Sequence, residues 1–145
     1  MRVFGRVPCL FKIGSEQYFG GGDDPANRES LWQSMDTSSP LYLKIAQVNR
    51  ARKTAQIWKY PHTERYVADD FYAFSRGKFL VALTNRHDNK RQKVAFHPFD
   101  PGETICNIFY AKTDCQTVTA TGVDVYLNDG EQKIYMPKRD LVNYS

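Results

Sequence analysis

The sequence predicts a mainly β fold: an antiparallel sandwich or barrel over roughly the last 80 residues, preceded by a strand, a loop and a helix. Three observations predict it. The apolar period changes from 3.6 to 2 near residue 64. Short runs rich in β-branched and aromatic residues then follow one another closely. Turn signals separate them, at Arg76-Gly77, Asp100-Pro101-Gly102 and Asn128-Asp129-Gly130.

Residues 7–13 read as a short strand, apolar on both faces and so compatible with a parallel sheet. A loop rich in glycine follows, Gly20-Gly21-Gly22-Asp23-Asp24-Pro25-Ala26-Asn27-Arg28, in which the backbone can turn sharply or approach a ligand closely. The helix has clear start and stop signals. Ser39 is the N-cap candidate, and Pro40 suits the first helical position. Leu41, Ile45 and Val48 form one apolar stripe. Arg50, Arg52 and Lys53 crowd the C-terminal end, where the helix dipole favours cations. The predicted strands are 65–68, 71–74, 79–85, 93–99, 104–110, 116–121, 123–127 and 132–136, with residues 86–92 read as a polar turn.

The chain has 145 residues, 41% hydrophobic, 14% aromatic and 25% charged, which suits one domain and excludes a disordered tail. No apolar run is long enough to cross a membrane as a helix. A complete (β/α)₈ barrel needs roughly 250 residues and cannot fit. The net charge of +4 is concentrated: residues 38–65 carry six basic side chains and one acidic. The helix dipole explains much of that excess. A nucleic-acid surface at residues 50–53 and at Lys90-Arg91-Gln92-Lys93 has no recognition motif to support it. Arg2, Arg6 and Lys12 interrupt the apolar residues too often for a secretion signal.

There are three cysteines, Cys9, Cys106 and Cys115. Cys9 lies in an apolar run and reads as a small buried hydrophobe. Cys106 and Cys115 flank the polar loop Ala111-Lys112-Thr113-Asp114. They can face each other across a hairpin as a disulfide, which would imply an oxidising compartment, or stand as two unpaired strand cysteines. No Cys or His spacing suggests zinc.

At this point the residues resemble a known family. Gly14-Ser15-Glu16-Gln17-Tyr18-Phe19, then Gly21-Gly22-Asp23-Asp24-Pro25-Ala26-Asn27-Arg28-Glu29 and Trp32, resemble the end of the catalytic barrel in α-amylases of glycoside hydrolase family thirteen. Phe71-Tyr72-Ala73-Phe74-Ser75-Arg76-Gly77 and Leu80-Val81-Ala82-Leu83-Thr84-Asn85 resemble domain C of the same enzymes. So, in the same order, do Pro101-Gly102-Glu103-Thr104, Cys106-Asn107-Ile108, Asp114-Cys115 and Leu127-Asn128-Asp129-Gly130. The resemblance covers roughly residues 7–137. It implies an antiparallel Greek-key β-sandwich at residues 59–145. Residues 1–58 would be a partial (β/α)₈-barrel segment: last strand, substrate loop and closing helix.

The resemblance also implies an activity: hydrolysis of internal α-1,4-glucosidic bonds of starch or glycogen with retention. Retaining chemistry uses two carboxyl groups about 5–5.5 Å apart. In the family these, and a third carboxylate, precede the segment matched here. The chain by itself is therefore expected to lack catalytic residues and to be inactive. Calcium, typical of the family, is implied to bind outside this segment, leaving no cofactor here. The site residues implied are Asp24 and Arg28, as contacts to glucose hydroxyls in a complete barrel. In the chain alone, Asp24 is expected to cap a local turn and Arg28 to pair with Glu29 or Asp23. Asn85-Arg86-His87-Asp88-Asn89 echoes a catalytic motif of the family but comes in the wrong order, and reads as a hairpin turn. Family resemblance implies secretion and, where the barrel is complete, an α-glucan partner; no nucleic acid or membrane partner is expected from the composition. A non-catalytic glucan-binding module is the alternative, with Tyr18, Trp32, Trp58, Tyr60 and Tyr66 as stacking faces.

Overall fold

The computed structural model describes residues 17, 19, 22–24, 30, 32 and 35–141. The strand expected at 7–13, Cys9, Arg28 and most of the Gly14–Glu29 motif lie outside the described residues. The chain divides into two compact units between Asn49 and Arg50.

In the first unit, a tight polar turn leads into the helix. Asp36 Oδ1 accepts hydrogen bonds from the Ser38 amide (2.7 Å) and the Ser38 hydroxyl (2.5 Å). The Ser38 hydroxyl is the main reason that the Asp36 carboxyl lies below the usual carboxylate range. The helix, α1, spans Pro40–Thr54 and starts where its capping signals put it. Ser39 Oγ accepts from the Tyr42 amide at 3.3 Å, and Pro40 takes the first helical position. Leu41, Ile45 and Val48 are half-buried, while Ala51, one turn on, is fully buried. Gln56 ends the helical segment in the left-handed region (φ 46°), the conformation usually left to glycine at this position. A 3₁₀ turn, Ile57–Lys59, follows.

The second unit continues as eight strands: β1 Thr63–Val67, β2 Phe71–Arg76, β3 Phe79–Thr84, β4 Lys90–Val94, β5 Thr104–Asn107, β6 Cys115–Thr117, β7 Val123–Leu127 and β8 Gln132–Pro137. Six form one antiparallel sheet in the order β1-β2-β3-β8-β5-β6; β4 and β7 form a second. Because β3 neighbours β8 while β4 pairs with β7, the chain crosses repeatedly between sheets, in the Greek-key manner. The core lies between them. Phe71, Ala73, Leu80, Ala82, Ile105 and Tyr135 of the large sheet meet Val94, Val123, Val125 and Leu127 of the small one. This is the mainly β antiparallel sandwich, preceded by a helix, that the sequence predicts.

The large sheet is apolar on its other face as well. Phe74, Val81 and Ile134 align across β2, β3 and β8, and Cys106 faces Met136. All five are nine-tenths or more buried. The 3₁₀ turns Ile108–Tyr110 and Lys138–Leu141 pack against β8 and bury Ile108 and Leu141.

Three strands differ from the expectation by more than two residues at an end. The strand expected at 93–99 runs instead over Lys90–Val94, starting inside what reads as a polar turn. Val94 faces the core, but Phe96 beyond it is 62% exposed and only Phe99 returns inward. The strand expected at 104–110 stops at Asn107, whose side chain accepts from the Phe109 amide (3.3 Å) and starts a 3₁₀ turn. The one expected at 116–121 is Cys115–Thr117, with a single bridge between Thr119 and Gly122 beyond it.

Candidate functional site

Of the two sugar-contact candidates, only Asp24 falls among the described residues. Asp24 is exposed in a turn, and Arg28 lies outside the description. Gln17, from the same matched stretch, accepts the Asp36 amide hydrogen on Oε1 at 2.8 Å, which ties that stretch to the turn before α1.

The β unit holds polar clusters whose geometry is that of ion-paired braces. Lys78 Nζ reaches Asp100 (2.6 Å) and Glu103 (2.9 Å), and Arg139 Nη2 reaches Glu103 from the other side (3.0 Å). Here two carboxylates converge, but on an ammonium. Lys78 holds the Asp100 carboxyl below the usual range, the opposite of what a general acid needs. Glu103, its side chain 9% exposed, also accepts from the Asp100 amide (3.2 Å). The cluster ties the β2–β3 turn to the turn before β5.

Asp70 takes Lys90 Nζ at 2.7 Å and Arg86 Nη1 at 3.2 Å, and Arg86 also pairs with Asp88. Lys90, and then Arg86, hold the Asp70 carboxyl low; Arg86 does the same for Asp88. Asn85 donates to the Asp69 carbonyl (3.2 Å), and His87 is 98% exposed. The stretch 85–89 is thus a braced surface turn between β3 and β4. Lys90 is half-buried against Asp70 while Arg91 and Lys93 alternate outward, so the basic run of β4 does not present one face.

Two polar features, one half-buried and one built on a buried lysine, had no signal in the sequence. His62 bonds the Tyr72 hydroxyl through Nε2 (2.9 Å) and packs on Phe74 with ring centroids 4.7 Å apart. Burial, and then Glu64, push the Tyr72 phenol up. Lys133 lies on the core face of β8, its side chain 11% exposed, and pairs with Asp114 at 2.8 Å. The buried Asn107 donates to the same carboxylate at 3.0 Å. Burial, and next the Asp114 charge, push the neighbouring Tyr135 phenol upward. The spacing of β8 shows that Lys133 shares a face with Tyr135, but nothing in the sequence names its partner.

Cys106 and Cys115 are directly opposed in the β5–β6 register and joined by a disulfide. Cys106 is fully buried and Cys115 exposed. Of the aromatic candidates, Trp32, Trp58 and Tyr60 are 90%, 61% and 47% exposed. The Tyr60 ring lies over Gly77, 2.7 Å from where a Cβ would stand. Tyr66 instead packs edge-on against Phe71 (5.6 Å), and Tyr18 lies outside the described residues. Among the described residues, no group of three or more His, Cys, Asp or Glu side chains could hold a metal ion. No helix among them is long and apolar enough to cross a membrane.

Comparison with known proteins agrees with the motifs. The chain is 37% identical to a β/α-amylase of Paenibacillus polymyxa over 89% of its own length, covering 11% of that protein. It is 29% identical to α-amylase 2 of Schwanniomyces occidentalis over 94% of its length, covering 29% of that enzyme. The structure of an α-amylase from Malbranchea cinnamomea superposes with a TM-score of 0.80 at 27% identity, over 91% of this chain and 30% of that one. No family model matches the chain. Over nearly its whole length, then, this chain is similar to α-amylases of glycoside hydrolase family thirteen, in a share of each consistent with the C-terminal part. Its origin is amylase-like. The chain spans less than a third of the length of these relatives.

Proposed function

We propose that this chain is the C-terminal part of a hydrolase that cleaves internal α-1,4-glucosidic bonds of starch or glycogen. Residues 1–58 would contribute the last barrel strand, the substrate loop and the closing helix; residues 59–145 form the sandwich domain. The observation that carries this reading is the unbroken order of matched motifs along a chain similar to amylases. In it, Asp24 accepts from glucose hydroxyls and Arg28 donates to them. The carboxyl pair of a retaining mechanism belongs to polypeptide outside these 145 residues. The chain by itself binds no cofactor and cleaves no starch in this reading. The Cys106–Cys115 disulfide supports an extracellular location.

A chimera tests the reading. The matching C-terminal part of the Schwanniomyces α-amylase 2 is replaced by this chain, and starch hydrolysis is measured. An active chimera is expected. Within it, Asp24→Ala or Arg28→Ala should lower kcat/KM about tenfold or more with little change in Tm. A folded chimera that is inactive, or is indifferent to both substitutions, overturns the assignment.

The exposure of Trp58 and Tyr60 favours one second reading, a glucan-binding module. Retardation in a starch-containing native gel, abolished by Trp58→Ala, would support it. Unretarded migration beside a retarded control rejects it.

A further inference from the structure

The geometry points to a redox-sensitive latch on the edge strand β6: the Cys106–Cys115 disulfide and the ion pair of the buried Lys133 with the half-buried Asp114 grip the strand from opposite faces, and reduction of the disulfide releases it. This inference does not depend on the sugar chemistry proposed above.

β6 has three residues and pairs with one neighbour, through Thr104↔Thr117, Ile105↔Gln116 and Cys106↔Cys115. A ladder that short at a sheet edge holds weakly by itself. Side chains alternate along a strand, so Cys115 falls on one face of the sheet, and Asp114 and Gln116 on the other. On the first face, Cys115 is bonded to Cys106, which is fully buried beside Met136. On the second, Asp114 takes Lys133 Nζ (2.8 Å) and Asn107 Nδ2 (3.0 Å), and its carbonyl accepts the Asn107 amide hydrogen (2.8 Å). Gln116 Nε2 donates to the Asp124 carbonyl on β7 at 2.8 Å, which joins β6 to the opposite sheet. The C-terminal end of β6 is anchored by Val118, buried in the core and bonded through its amide to the Glu103 carbonyl (2.9 Å) and through its carbonyl to the Gly102 amide (2.8 Å). Beyond that anchor and the β5 ladder, what holds β6 passes through the side chains of 114–116.

The two grips support each other. The disulfide shortens the free path of the chain between residues 106 and 115, which keeps the Asp114 carboxylate within reach of Lys133. Lys133 resists release in turn, because opening β6 leaves its desolvated ammonium without a counter-charge. Cys115 is exposed and gives a thiolate its line of approach. A dithiol reductant attacks the Cys115 sulfur, and the Cys106 sulfur leaves as a thiolate and takes up a proton. The second thiolate of the reductant then displaces the Cys115 sulfur, which is protonated in turn. The reductant ends as a cyclic disulfide; the protein has gained two electrons and two protons. Without the covalent grip, β6 and the 111–114 loop open while β2 and β3 stay paired, and the opened segment becomes accessible to proteases.

Amide hydrogen exchange on the 145-residue chain, with and without dithiothreitol, tests this. Reduction should speed exchange at residues 114–118 at least about tenfold and change residues 71–83 by less than about twofold. In reduced Lys133→Met, residues 114–118 should exchange faster still. Unchanged protection at 114–118 on reduction overturns the latch, and so does an equal rise at 71–83, which would mean global loosening. If Lys133→Met fails to fold, the wild-type comparison decides.

Discussion

The two sheets of the sandwich solve different problems. In the small one, β7 reads Val123-Asp124-Val125-Tyr126-Leu127, buried and exposed in strict alternation, and β4 mirrors it with charges facing water. In the large one, β3 and β8 are buried over four and five consecutive residues, on both faces. An antiparallel sheet usually has one face to solvent. Here the second face is also core, covered partly by turns anchored on Ile108 and Leu141. The large sheet thus buries apolar side chains on two faces, and the small one closes the sandwich with a single buried face.

The largest effect that can break this contrast is truncation on the two faces of the large sheet. Leu80→Ala on the inner face and Met136→Ala on the outer, both fully buried, should each cost about 2–5 kcal/mol in urea unfolding. A cost below about 1 kcal/mol for Met136→Ala would make the outer face a surface. Next comes Gly122, at φ +132°, where a Cβ would stand 2.7 Å from the Val94 carbonyl oxygen at the end of the β4–β7 pair. Gly122→Ala should cost about 1–3 kcal/mol, more than Gly102→Ala at φ +84°, which meets nothing within 4 Å.

Acid should act on the surface braces. Lys90, then Arg86, hold Asp70 below the ordinary value of 3.8; Arg86 holds Asp88 there and Lys78 holds Asp100. Below that value the unfolded chain binds more protons than the native one. The contribution of these carboxylates is therefore full above about pH 4 and is lost as pH falls through the depressed native values. Urea midpoints should drop over that window, and less so in high salt. The smallest effect is expected at Tyr126→Ala on the outward face of β7 (43% exposed), within about 0.5 kcal/mol of the parent.

Legibility in the sequence follows the same division. β7 was readable because its alternation is between valine or leucine and polar residues. The start of α1 was readable because Ser39 and Pro40 act locally. β4 was not: its inward positions are Lys90 and Gln92, whose stems are half-buried while their ends find polar partners, so no apolar period appears. The end of β5 turns on one hydrogen bond from Asn107, which hydrophobic periodicity does not register. The candidates Asp24 and Arg28 come from a matched motif, and the loop between Cys106 and Cys115 offers their pairing as one of two readings, which the disulfide decides. The Lys133–Asp114 pair depends on the strand order β8-β5-β6, a tertiary fact with no local trace.

The most direct measurement of the whole account is reducing-sugar release from soluble starch by the purified 145-residue chain, followed over a wide range of chain concentration. The account predicts no release above buffer at any concentration, from a preparation whose β-sandwich is shown intact by its unfolding transition. Release that rises in proportion to the chain, in material free of other amylase, would contradict it and place catalytic carboxyls within these residues.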